Sequence, residues 1–379
     1  MIDERLLIEL TQRVVRFPSP QTDRMEAEPQ VQAFIGECVA PIVATMGLSA
    51  RRDAMGSLIA EVGTPGTGRS VLVMTYAMTH PASKMIDPWG GALIETPDGP
   101  AIRGRGVSEQ RAPLAAALVA IKTLLAHGSD GHLVFVLSSA GETGRHDAAK
   151  ATMDSIGSIP RMAVVGLGTN NQIALGNKGR IDIDIIVRGR AAHSSTPWDG
   201  VDAIEGARQV LNQLRTVELP AREHPGLGRV TLTPTRLVSE PRATHTVQDE
   251  VVITLDRRLL PDEDPEAALA QIAEHVHLPP PWIVEVRKGP FMYPFAIDAD
   301  GPLVRAIREG HKRANLPAPK TFFSHSALDA GYLQLRGCEA AMWGPGRMEH
   351  FHSDDETLLV SELVHGAAAY AGFLAVTLA

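Results

Sequence analysis

Glu109 stands in the stretch Gly104-Arg105-Gly106-Val107-Ser108-Glu109-Gln110-Arg111, just ahead of the apolar run from Pro113 to Leu125. A glycine-flanked turn with one carboxylate, set before a helix, aims an acidic side chain into a cleft. Other segments with residues that bind charge or move protons are expected to converge on the same cleft. They are Ser138-Ser139-Ala140-Gly141-Glu142-Thr143-Gly144, Ala192-His193-Ser194-Ser195-Thr196-Pro197 and Asp256-Arg257-Arg258-Leu259-Leu260-Pro261. The last is Gly344-Pro345-Gly346 with the acidic and imidazole run Glu349-His350-Phe351-His352-Ser353-Asp354-Asp355-Glu356. Gly344 and Gly346 either offer backbone N–H groups to an anion or form a plain tight turn.

The elements that must position these residues are legible in the hydrophobic pattern. Helical periodicity runs through Val31, Phe34, Ile35 and Val39, after a loop broken by Pro18 and Pro20. Leu58–Val62, Val71–Met74 and Leu133–Leu137 are near-continuous apolar runs of the kind buried on both faces, and they alternate with helical stretches at 113–126 and 146–156. That alternation predicts an α/β fold, a mostly parallel sheet with helices on both faces. After Gly179 the pattern changes. Ile181, Ile183 and Ile185 alternate with Asp182, Asp184 and Ile186, and the order strand 181–186, helix 201–214, strands 229–238 and 250–257, helix 264–275, strand 282–287 is the split β-α-β-β-α-β plan. An inserted domain is therefore expected at 180–288. Helices at 301–314 and 357–376 return the chain to the first domain, so 1–179 and 289–379 form one body.

The chain of 379 residues is long enough for two domains, and its net charge of -8 argues against a nucleic-acid partner, which needs a basic face. A small polar metabolite fits better. The charged, amphipathic start Met1 to Leu10 reads as a first helix rather than a leader, and no uninterrupted apolar run approaches the roughly 20 residues that span a bilayer. Cys38 and Cys338 have neither metal nor redox spacing, so a cytoplasmic setting is expected, with no membrane partner.

Taken together, these segments resemble the aminoacylase, acetylornithine deacetylase and succinyl-diaminopimelate desuccinylase family of dinuclear zinc amidohydrolases and metallopeptidases, over almost the whole chain. The resemblance implies a phosphorylase/hydrolase-like catalytic domain with an inserted ferredoxin-like α+β lid, through which two copies dimerise. It also implies where the metal positions fall. In the family's G-H-x-D-x-x-P segment, Tyr76 stands at the second-zinc histidine and Met78 at the aspartate that orients it, in Thr75-Tyr76-Ala77-Met78-Thr79-His80-Pro81. A neutral phenol is a poor zinc ligand and a thioether orients nothing. The bridging aspartate of G-R-G-x-x-D-x-K-G is Glu109, whose extra methylene exceeds the tolerance of about 0.2 Å for a metal bond. In the paired glutamates, Glu142 falls on the ligand and Gly141 on the general base, which contributes about 10²- to 10⁴-fold and which glycine cannot supply. Leu167, in Gly166-Leu167-Gly168-Thr169-Asn170, takes the last second-zinc position, whereas His352 keeps the C-terminal histidine.

By the same resemblance, His193 contacts the scissile carbonyl and is catalytic together with Glu109. Arg258, or less favourably Arg257, binds a substrate carboxylate through its guanidinium fork, and His245 replaces the lid asparagine. Glu109, Glu142 and His352 then either hold a single divalent ion, zinc or similar, or form an ion pair in a metal-free pocket. Three functions stay open. The first is a one-metal amidohydrolase of a small carboxylate-bearing, amino-acid-like substrate, with His80, His146 or His350 as the replacement base. The second is metal-free elimination, transfer or ring closure in the same pocket, and the third is a non-catalytic binding homologue.

Overall fold

Val71, Leu72, Val73 and Met74 are apolar without alternation, and the strand they form is buried on both faces. In the computed structural model, which describes residues 2–66, 68–141 and 143–378, this strand lies inside a large mixed sheet. The chain divides into two compact units. The first comprises Met1–Gly176, Ala296–Phe323 and Asp329–Ala379; the second comprises Asn177–Phe295 and Ser324–Leu328, a segment outside the 180–288 boundaries.

The first unit begins with α1 (Glu4–Val15), capped by Asp3, whose carboxylate accepts from the Leu6 N–H at 3.0 Å. Then come β1 (Ala50–Arg52), β2 (Leu58–Val62), β3 (Ser70–Tyr76), β4 (Ala92–Thr96), β5 (Gly99–Arg103), α2 (Ala112–His127), β6 (His132–Ser138), α3 (Asp147–Ser155), β7 (Met162–Val165) and β8 (Ile173–Asn177). The second unit holds β9 (Gly179–Arg188), α4 (Ala203–Leu214), β10 (Thr231–Glu240), β11 (Glu250–Leu259), α5 (Pro265–His275) and β12 (Ile283–Met292). The chain returns through α6 (Pro302–Arg313), α7 (Ala330–Leu335), β13 (Glu339–Met342), β14 (Thr357–Leu359) and α8 (Val360–Leu378).

The large sheet runs β1-β2-β6-β3-β7-β13-β8 and continues to a short strand at Phe295–Ala296, with a further strand at Thr321–Ser324 also paired to β8. Pairing is parallel through the central strands β6, β3, β7 and β13 and antiparallel at both flanks. Loops after the central strands therefore leave at one edge, where open α/β sheets bind ligands. In the second unit the order β10-β11-β9-β12, wholly antiparallel with α4 and α5, is the split β-α-β-β-α-β arrangement. Ile181, Ile183, Ile185, Val251, Ile253 and Leu255 form its core.

Two features depart from the sequence-based reading. A separate sheet, β14-β5-β4, escapes the hydrophobic pattern because β4 is largely exposed and β14 has three residues. In addition, α8 is long and apolar enough to cross a membrane, by length and composition, although Glu362 and His365 interrupt its apolar run. Its Leu363, Ala367, Tyr370, Phe373 and Leu374 lie in the first unit's core together with Leu114, Leu118 and Ile121 of α2, so it packs as a core helix.

Candidate active site

The Glu109 turn is held from the far end of the chain. Glu356 is 1% exposed; its carboxylate accepts from the N–H of Gly106 at 2.7 Å, the N–H of Ser108 at 2.9 Å and Arg105 Nη1 at 3.2 Å. Burial pushes this carboxyl above the ordinary range, while those same donors pull the other way. Pairing of β14 with β5, Leu358 opposite Ile102, delivers Glu356 to that place. Gly106 adopts φ 77°, a left-handed conformation suited to glycine, and the next residues form a widened turn in which the Arg111 N–H reaches the Gly106 carbonyl at 2.8 Å.

The turn brings Glu109 Oε2 to 3.3 Å from His352 Nε2, with the carboxylate side chain 11% exposed and the imidazole 45%. His352 has φ 59°, uncommon for a residue with a side chain, and the His80 ring stacks on it at 3.9 Å with planes 11° apart. Glu142, the third residue of the expected single-metal set, lies outside the described residues. Among the described residues no group of three His, Cys, Asp or Glu side chains is placed to hold a metal ion.

At the expected second-metal position a different structure occurs. Tyr76, at the end of β3, donates its hydroxyl to Asp329 Oδ2 at 2.8 Å; Oδ1 of the same carboxylate is 2.7 Å from His146 Nδ1. The three side chains are buried, and Tyr332 stacks on the His146 ring at 5.3 Å. Met78 and Leu167 are also buried. Neither the leucine side chain nor the thioether offers an imidazole or carboxylate, and the phenol already donates to one.

Gly141 is closed to any side chain, because a Cβ there would lie 2.5 Å from the Met78 carbonyl oxygen. Gly141→Glu, which places a carboxylate where the resemblance expects the base, is therefore expected to lose about 1–3 kcal/mol of stability by overpacking and to gain no turnover. Urea denaturation and an amidase assay check this, and a stable variant with raised activity would show the position to be open.

The Gly344-Pro345-Gly346 loop is explained by close packing. A Cβ on Gly346 would fall 1.8 Å from the Ser108 carbonyl oxygen and one on Gly168 1.9 Å from it, so these glycines let backbone rest on backbone. The Gly344 N–H donates to Thr169 Oγ1 at 3.1 Å, in place of the anion anticipated for it. His350 Nδ1 is engaged with the Thr357 backbone carbonyl at 3.0 Å.

In the second unit, the Ser195 N–H donates to His193 Nδ1 at 3.2 Å, which puts the His193 ring proton on Nε2; His245 is tilted against it at 6.0 Å. The fork of Arg258 is taken by Asp256, at 2.7 and 3.0 Å, because residues two apart share one face of β11. That differs from a fork held ready for a substrate carboxylate. Arg257, on the opposite face, is fully buried against Glu263 at 2.7 Å and serves the core.

The sequence matches peptidase family M20/M25/M40 over residues 81–376. The chain belongs to that family. It is 26% identical over 293 residues to the N-formyl-4-amino-5-aminomethyl-2-methylpyrimidine deformylase of Halalkalibacterium halodurans, covering 69% of this chain and 68% of the relative. It is 26% identical over 325 residues to the acetylornithine deacetylase of Myxococcus xanthus, covering 83% and 82%. The fold matches that of Sso-CP2, an M20 family metallo-carboxypeptidase from Sulfolobus solfataricus, with TM-score 0.76 at 15% identity over 100% of this chain and 99% of that one. Two residues that hold these clusters, Asp329 and Glu356, were not singled out from the sequence. Glu356 lies in the acidic and imidazole run expected at the cleft, but its partners at 105–108 are about 250 residues away along the chain, and those of Asp329 are 253 and 183 residues away.

Proposed function

We propose that this chain is an amide-bond hydrolase of small N-acylated amino acids or short peptides, and that it holds one divalent ion at most. The observation that carries the reading is the Glu109–His352 pair at 3.3 Å, a carboxylate and an imidazole kept together where the family binds metal. A two-ion centre does not fit this chain, since Tyr76 is bound to Asp329 and Leu167 offers no donor atom. A single ion would be held by Glu109, Glu142 and His352, and when bound it would polarise the amide carbonyl and acidify water. His193 presents an Nε2–H donor suited to a carbonyl oxygen, and Arg258 can receive a substrate carboxylate only by displacing Asp256. The same reading carries a cytoplasmic homodimer formed through the second unit.

Elemental analysis of purified protein, alongside turnover of N-formyl and N-acetyl amino acids and dipeptides, tests it. The expected result is one metal ion or fewer per chain with turnover above background. Two ions per chain, or no turnover across the set, would overturn it. The hydrogen-bonded Tyr76, Asp329 and His146 favour one second reading, non-hydrolytic chemistry without metal in the same pocket. Activity that survives chelation on a substrate other than an amide would select it.

A further inference from the structure

Gly310 of α6 and Gly372 of α8 let two helix backbones touch. A Cβ on Gly310 would lie 2.5 Å from the Phe373 nitrogen, and one on Gly372 would meet the Gly310 carbonyl oxygen. Contact this close at one point leaves a wedge beside it, which only side chains can fill. There α8 presents Val364, Ala368, Ala371 and Ala375, half-buried and at helical spacing, and these short side chains leave much of it open. The result is a cavity of about 810 Å³, bounded also by Leu124 of α2, by Ile2 and Glu4 at the start of α1, and by Arg313 and Asn315 at the end of α6. It is separate from the candidate active site. Leu124 lies twelve residues past Ala112, which puts it about 18 Å along α2 from the Glu109 turn.

Glu4 and Arg313 line this cavity with opposite charges, and among the described residues neither side chain has a hydrogen-bond or ion-pair partner. Charges close by in the chain are paired. Arg5 meets Glu9 at 2.8 Å, Arg308 meets Asp300 at 2.9 Å, and Lys312 lies 3.7 Å from Glu309. Asn315 adds a side-chain amide at the same edge.

We propose that this cavity binds a short apolar peptide with free termini, its carboxylate on Arg313, its ammonium on Glu4 and its aliphatic side chains on the floor made by α8. An apolar floor with a few polar groups at its edge, in a cleft of about 300–1,000 Å³, is the usual build of a small-molecule site. Charge selects the class of ligand. An apolar acid would lay its chain against the Glu4 carboxylate, an apolar amine would do the same to the Arg313 guanidinium, and an uncharged apolar molecule would leave both unmatched. A molecule with opposite charges at the two ends of an aliphatic body satisfies each, and the guanidinium fork is shaped for a carboxylate. Because both charges stand at an exposed rim, each adds modestly to affinity, and the apolar floor supplies most of it.

The test is methyl NMR of the full chain, titrated with leucyl-leucine and with ω-aminooctanoic acid, a probe that carries both charges and has no amide to cleave. The outcome is therefore independent of the hydrolase reading. The methyl groups of Ile2, Leu124 and Val364 are expected to shift and saturate, with a Kd on the order of 1 mM. Octanoic acid and octylamine, with one charge each, are expected to bind about three- to fivefold more weakly than the zwitterion. Arg313→Ala should remove the zwitterion's advantage over octylamine, and Glu4→Gln its advantage over octanoic acid. Both variants change exposed side chains and keep the fold. Ala371→Phe, which fills the wedge from α8, should abolish the shifts of Ile2 and Leu124.

Three results would each overturn the proposal. One is the absence of saturable shifts at these methyl groups with either zwitterion at about 20 mM, well above the expected Kd. Another is octanoic acid or octylamine binding as tightly as ω-aminooctanoic acid. The last is an affinity unchanged in both Arg313→Ala and Glu4→Gln, which would place the ligand elsewhere.

Discussion

Glu356→Ala is expected to lose about 3–5 kcal/mol of folding stability, and Glu356→Gln about 1–3 kcal/mol. The alanine variant removes the acceptor of two backbone N–H groups and leaves the fully buried Arg105 guanidinium, among the described residues, with the carbonyls of Ser353 and Ala82 and, at 3.9 Å, Asp354. An uncompensated buried charge is costly, and the turn that carries Glu109 loses its anchor at the same time. Glutamine keeps the shape and one acceptor, so the loss in the glutamine variant isolates the ion pair and the further loss in the alanine variant reports the shape and the acceptor. Urea denaturation measures both losses. A cost below about 1 kcal/mol for the alanine variant would mean that the turn is held by other contacts.

The second large effect is acid sensitivity. His311 of α6 is 1% exposed, with Nδ1 on the Pro317 carbonyl at 2.9 Å, Trp343 at 5.6 Å and His365 at 5.4 Å. Burial pushes its pKa down to about 4, and it lowers that of His365 too, against the pull of Glu362. Because the folded value lies below the unfolded value of about 6.5, the unfolded chain binds more protons. The contribution of His311 is thus complete above about pH 6.5 and is lost as pH falls toward 4, by about 3 kcal/mol in total. His311→Phe should flatten this part of the stability-against-pH curve between pH 7 and 4.5. Equal slopes for variant and wild type would refute it.

Much of the fold can be read from the order of residues, and the reason is physical. The strands β3 and β6 are buried on both faces and announce themselves as unbroken apolar runs, and β9 betrays its single wet face by alternation. Family membership was legible through glycines, a proline and charged residues at fixed offsets. What could not be read were contacts whose partners are remote. Asp329 lies among Ser326, Ala327, Leu328 and Ala330, a setting with no cue that its carboxylate will join a phenol from the end of β3 and an imidazole from the residue before α3. His146 could be named as one of three histidines able to move a proton, but only the structure shows that its ring is held by a carboxylate while His350 is engaged with Thr357. Similarly, the choice between Arg257 and Arg258 turned on which face of β11 points inward, and neither guanidinium is left without a carboxylate.

The position of β13 bears on how the protein is made. It is a central strand of the large sheet, parallel to β7 on one side and antiparallel to β8 on the other, yet it lies at residues 339–342. During synthesis the earlier strands emerge with that slot empty, and they must wait for the whole second unit to be translated before it is filled. A nascent chain stalled before residue 339 thus presents the unpaired side of β7 to its neighbours, a form prone to association on the ribosome.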